Sequence, residues 1–133
     1  GNVVKAGKDI TVIASGIEVA WALEAARKLE EENISVRVVD MFTIKPIDKD
    51  AIIKASKETG AIVTVENHNI LNGLGSAVAE VLSEEAPCRM KRLGVPDCFG
   101  EVGTIPFLKE KYHMTEKDIE EAVKSLISKK DVA

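Results

Sequence analysis

Four short apolar runs, each parted from the next by a stretch of helical length and pattern, constrain this chain more than any other feature. They are Ile10-Thr11-Val12-Ile13-Ala14, Ile34 to Val39, Ala61-Ile62-Val63-Thr64-Val65, and a weaker run from Cys88 to Val95. Their β-branched content marks them as strands, and strands parted by helices pair in parallel through right-handed crossovers. The expected fold is α/β, in three layers α/β/α, with a mainly parallel sheet of about five strands. Val3-Val4-Lys5 stands at hairpin distance from Ile10, across Ala6-Gly7-Lys8-Asp9. It is expected to add one short antiparallel edge strand at the N-terminus.

Punctuation places the helices. One opens at Asp48, just after Pro46, and closes before Gly60, a residue free to take the left-handed conformation that ends helices. The next opens near Asn72-Gly73, carries Leu74, Ala77, Val78, Val81 and Leu82 on one stripe, and is stopped by Pro87. The last opens at Thr115, whose hydroxyl can cap it, and buries Ile119, Ala122, Val123, Leu126 and Ile127. In the first helix Val19, Ala22, Leu23 and Ala26 share a face, with Leu29 at its margin. Trp21 falls nearly opposite, beside Ile17 and Ala25. Two readings stand for Ile17, Trp21 and Ala25: a helix buried on two sides, by the edge strand or the C-terminal segment, or a protein interface, where Trp is enriched.

Composition narrows the function classes. With 45% hydrophobic and 30% charged residues, the 133 residues (14.4 kDa) are expected to fold as one domain over 1–133 rather than remain disordered. Lys and Arg number 18 against 22 Asp and Glu, a net charge of −4, so no basic stripe for nucleic acid is expected. No run approaches the ~20 apolar residues of a membrane span, and no charged-then-apolar leader is expected ahead of the first strand. The start at Gly1-Asn2 rather than Met is expected of an excised fragment or a tag remnant. Cys88 and Cys98 form no CxxC and are expected as free, buried thiols in a reducing cytoplasm. His68 and His113 stand far apart, so no metal ligands are expected.

In a parallel sheet, chemistry gathers outside the carboxyl ends of the strands. Asp40 closes its strand 24 residues after Gly16, where a ribose-binding acid would stand. The turn Ala14-Ser15-Gly16-Ile17-Glu18-Val19 has a single glycine, however, and Glu18 would repel a pyrophosphate. A dinucleotide site is not expected on those grounds. No GK[ST] phosphate loop exists, nor the acidic cluster and acceptor Asp of a receiver domain.

The most distinctive stretch is Glu66-Asn67-His68-Asn69-Ile70-Leu71-Asn72-Gly73-Leu74-Gly75-Ser76. If the strand continued, Glu66 and His68 would face one side, as an acid–base pair or a hydrogen bond. Gly73 and Gly75 permit close backbone approach or positive φ, and free amides together with Ser76 could hold an anion. The same residues also serve an ordinary loop-to-helix turn. No nucleophile or cofactor cradle accompanies them, so no catalytic or cofactor-binding residue is assigned. Glu66, His68, Gly73, Gly75 and Ser76 remain candidates for an interface or an anion site.

Taken in order, Val38-Val39-Asp40-Met41-Phe42-Thr43-Ile44-Lys45-Pro46-Ile47-Asp48, Val65-Glu66-Asn67-His68 and Gly73-Leu74-Gly75-Ser76-Ala77-Val78-Ala79-Glu80 resemble the C-terminal domain of transketolase. Leu93-Gly94-Val95-Pro96-Asp97-Cys98-Phe99-Gly100 and Lys111-Tyr112-His113-Met114-Thr115 extend the likeness, which runs from Lys8 to Ile127. Within that family the chain is most similar to the C-terminal subunit of split transketolases. Deoxyxylulose-phosphate synthase and the β subunits of 2-oxoacid dehydrogenases carry related domains.

The resemblance implies a parent enzyme that uses thiamine diphosphate and Mg²⁺ to move a two-carbon ketol unit between sugar phosphates, in the pentose phosphate manner. In that family the cofactor lies between the other two domains, one bearing a Gly-Asp-Gly…Asn-Asn motif and the other an activating Glu. Neither motif is present here, and Glu66 does not match the activating Glu. The implied role is therefore non-catalytic: the domain binds no cofactor, packs against the pyrimidine-binding and diphosphate-binding domains or subunit, and supports a homodimer. The related dehydrogenase domain implies a second role, docking of a partner enzyme. A regulatory anion-binding domain is the third reading.

Overall fold

The computed structural model describes residues 2–16, 18–41, 47–67, 73–95 and 116–128. Five strands form one sheet: β1 (Asn2–Lys5), β2 (Ile10–Ala14), β3 (Val36–Asp40), β4 (Ala61–Asn67) and β5 (Arg89–Val95). Their order is β1-β3-β2-β4-β5, parallel throughout except for β1. β2 is buried along its whole length, since β3 and β4 take both its edges and helices cover both its faces. That is why its sequence reads as a continuous apolar run rather than an alternating one. Ile10, Val12 and Ala14 enter one core and Ile13 the other. Thr11 is buried on the second face, where its hydroxyl meets the Thr59 hydroxyl at 2.8 Å.

The α/β class, the parallel sheet and the antiparallel edge strand are as expected; the hairpin is not. β1 pairs with β3, matching Asn2 to Asp40 and Val3 to Val39, with a bulge between Val3 and Lys5. Both edges of β2 are taken by parallel neighbours, so an adjacent β1 has no hydrogen-bonding row to join. The link between them instead crosses the start of β3. Asp9 clamps the Ser35 amide at 2.7 Å, and Arg37 Nε donates to the Gly7 carbonyl at 3.1 Å. A Cβ on Gly7 would overlap backbone atoms of Val36 and Arg37, which explains a glycine there.

Helices α1 (Glu18–Glu30) and α4 (116–128) close one core over the sheet, and α2 (Lys49–Thr59) and α3 (Leu74–Glu85) close the other. α2 starts where Asp48 accepts the Ala51 amide at 3.0 Å and ends at Gly60, whose φ of 74° is left-handed. Among the described residues no helix is long and apolar enough to cross a membrane.

The face of α1 is rotated from its expected place. Its buried residues are Glu18, Trp21, Ala22, Ala25, Ala26 and Leu29, while Val19 and Leu23 are only partly buried. Trp21 is 1% exposed and Ala25 fully buried, so neither offers a surface; Ile17 lies outside the described residues. Of the two readings, a helix buried on two sides is the one found for Trp21 and Ala25. The physical reason is a second packing partner: Ile119, Ala122, Val123 and Leu126 of α4 share the core cluster of Trp21. Ion pairs tie α4 to α1 and to the turn after it, Lys28 to Glu116 and, at 2.9 Å, Lys124 to Glu32. The nearly buried Glu116 raises the Lys28 pKa above its ordinary value through their hydrogen bond.

Candidate functional site

The chain leaves β2 toward β3 and leaves β4 toward β5, so the connections from these two adjacent parallel strands part in opposite directions at their carboxyl ends. Ligands of open α/β sheets settle in such a crevice. Here it is approached by Ser15-Gly16 from β2 and by Glu66-Asn67 from β4. Alternation along β4 sends Val63 and Val65 toward α1 and α4. It sends Ile62, Thr64 and Glu66 toward the layer holding α3.

Glu66 is 5% exposed, and its Oε2 accepts the amide of Gly75 at 2.8 Å. Gly75 is the second residue of α3, so Glu66 does from a neighbouring strand what a capping side chain ordinarily does locally. The cap position itself is Gly73, with φ −88° and no side-chain hydrogen bond. Gly73 therefore needs no left-handed freedom, whereas Gly75 needs its missing Cβ. An atom there would stand 2.5 Å from Glu66 Oε2 and 2.5 Å from Arg92 Nε. Arg92, exposed on β5, lies over this contact and donates to Ser76 Oγ at 3.1 Å. It pairs in register with Thr64, and Gly94 pairs with Glu66.

Sequence candidates thus separate. Glu66, Gly73, Gly75 and Ser76 meet in one corner; His68 lies outside the described residues, and so do Asp97, Cys98 and His113. Asp40 ends β3, two strands away from β4. Sequence reasoning missed Arg92. Its only signal was a charged residue on the same face as the packed Met90 in a strand otherwise read as weak.

The chemistry of the corner is that of an internal clasp. The negative carboxylate sits at the positive end of α3 and takes an amide that an external anion would use. Among the described residues no three His, Cys, Asp or Glu side chains converge as a metal ion requires. The corner offers a metal–diphosphate group neither ligands nor a free cradle and does not fit it. Elsewhere Cys88 is a free thiol, half-buried at an apolar pocket beside Leu82 and Met90. Burial pushes its pKa up against the opposing hydrogen bond of Ser56, which makes it a poor nucleophile.

Known proteins place this arrangement. The family model described as transketolase, C-terminal domain, matches residues 1–119. A 6-deoxy-6-sulfo-D-fructose transketolase subunit from Clostridium sp. (strain MSTE9) is 43% identical over 130 residues, 98% of this chain and 40% of that protein. An apulose-4-phosphate transketolase subunit from Phocaeicola vulgatus is 47% identical over 96 residues, 72% of this chain and 30% of its own length. A solved split gene transketolase, an inactive beta4 tetramer, is 50% identical with a TM-score of 0.80, covering 96% of this chain and 41% of that one. The chain therefore spans about two fifths or less of these relatives. With the family model matched over residues 1–119 and a solved relative of TM-score 0.80 over 96% of its length, the chain belongs to the transketolase C-terminal domain family.

Proposed function

We propose that residues 1–133 act as the non-catalytic C-terminal domain of a transketolase-type enzyme, packing against its pyrimidine-binding domain and supporting a homodimer in the cytoplasm. One observation carries this reading. The buried acid at the carboxyl end of the sheet, where a catalytic group would stand, is committed to holding the first turn of α3. Two relatives named as transketolase subunits support the larger context. Bound between the other domains, thiamine diphosphate with Mg²⁺ would supply the carbanion chemistry of ketol transfer. This chain's own residues would orient the neighbouring domain and hold the assembly together.

The experiment is complementation. An enzyme of this type lacking its C-terminal domain is expected to lose assembly and to regain ketol transfer when this chain is added in stoichiometric amount. Failure of the added chain to associate would refute the reading. A partner-docking role, as in 2-oxoacid dehydrogenase β subunits, would show instead as binding to an acyltransferase core.

A further inference from the structure

We infer that one buried water molecule bridges the Thr64 hydroxyl and Glu66 Oε1, completing from inside the clasp between β4 and α3. Glu66 spends Oε2 on the Gly75 amide, while its Oε1 is buried and has no hydrogen-bond partner among the described residues. Thr64 Oγ1 is in the same condition, in a residue wholly withdrawn from solvent. Of the buried polar side-chain atoms that lack a partner among the described residues, these two alone share a strand. Alternation puts both on one face of it.

Their surroundings limit what can serve them. That face of β4 belongs to the apolar layer of Ile13, Leu74 and Val78, and Ile13 stands beside Thr64 in register. Apolar neighbours offer no hydrogen bond, and a buried carboxylate oxygen left without a donor is costly. The two side chains do not bond one another. Residues two apart on a strand are separated by roughly 7 Å, and a water with two bonds of about 2.8 Å each covers most of such a gap.

Donor chemistry selects the occupant. A carboxylate oxygen only accepts, whereas a hydroxyl both donates and accepts. The mediator must give a proton to Glu66 Oε1 and can take one from Thr64. Water does both, and buried waters settle where polar atoms would otherwise stay unpaired. An anion is repelled by the Glu66 carboxylate. A metal ion lacks ligands, since no three His, Cys, Asp or Glu side chains converge among the described residues.

Thr64→Val tests the bridge, because a bridged and an unbridged hydroxyl predict opposite signs. Valine keeps the branched shape of threonine and loses the hydroxyl. Were the hydroxyl bonded to nothing, its removal would relieve a buried polar atom and raise the melting temperature. With the bridge in place, the variant takes away one anchor of the water and leaves Glu66 Oε1 without its donor. The melting temperature of the chain is then expected to fall by roughly 3–10 °C. A crystal structure of the wild-type chain is expected to show one ordered water within hydrogen-bond distance of Thr64 Oγ1 and Glu66 Oε1. A melting temperature unchanged or raised in Thr64→Val would overturn the bridge. So would a donor from the chain itself on Glu66 Oε1 in the crystal.

Discussion

Replacing Gly75 by alanine asks whether the clasp between β4 and α3 is real, because helix propensity and the clasp predict opposite signs. In an ordinary helix interior Gly→Ala stabilises by up to about 1 kcal/mol. Here the new methyl would stand 2.5 Å from both Glu66 Oε2 and Arg92 Nε. Arg92 is exposed and can swing aside; Glu66 is buried, and moving it breaks its 2.8 Å bond to the Gly75 amide. A hydrogen bond to a charged group contributes about 1.5–3 kcal/mol. The net effect is a destabilisation of about 0.5–2 kcal/mol, a fall in melting temperature of roughly 2–8 °C. Urea denaturation of Gly75→Ala, Glu66→Ala and the double variant measures the coupling. Without the carboxylate the alanine meets no obstruction from that side, so Gly75→Ala should be neutral or stabilising in the Glu66→Ala background. Stabilisation by Gly75→Ala with Glu66 in place would refute the clasp, as would additivity within about 0.5 kcal/mol.

Three further outcomes are expected. Trp21, the only tryptophan and 1% exposed, should emit at short wavelength and resist iodide quenching, and Trp21→Ala should cost about 3–5 kcal/mol; ready quenching would contradict its burial. Asp48→Ala removes the side-chain acceptor of the Ala51 amide and should lower stability by about 0.5–2 kcal/mol in a denaturant series, an unchanged midpoint counting against the cap. Desolvation first, then the charges of Glu116 and Glu32, raise the Glu120 carboxyl above its ordinary value against Lys28 and Lys124. Folding thus favours its protonated form, so its contribution is full below the ordinary carboxylate range and is lost as pH rises through the folded value. Glu120→Gln should stabilise at neutral pH and gain nothing in acid; a gain that grows on acidification would contradict this.

How much was legible depended on whether the cause was local. The run Ile10–Ala14 announced a central strand because burial on two faces leaves no polar alternation to read. Asp48 and Gly60 announced α2 because caps act within a turn. Trp21 falls off the apolar face of a helical wheel, which assumes one packing partner; the burial on two sides weighed for it is what α4, returning from almost a hundred residues later, supplies. The partner of β1 was misassigned because the loop Ala6–Asp9 carries no record that β2 is closed on both edges. Glu66 was singled out, but its role was not. It reaches Gly75 across nine positions, and Arg92 enters from another strand, so no spacing rule connects the three.

The most direct measurement is ketol transfer from a ketose phosphate donor, assayed with the purified chain alone and again with the remainder of its enzyme restored. Alone, the chain should turn over no donor and hold no thiamine diphosphate after gel filtration, while the restored assembly should do both. Turnover by the 133 residues unaided would contradict the view that they shape an enzyme without making or breaking its bonds.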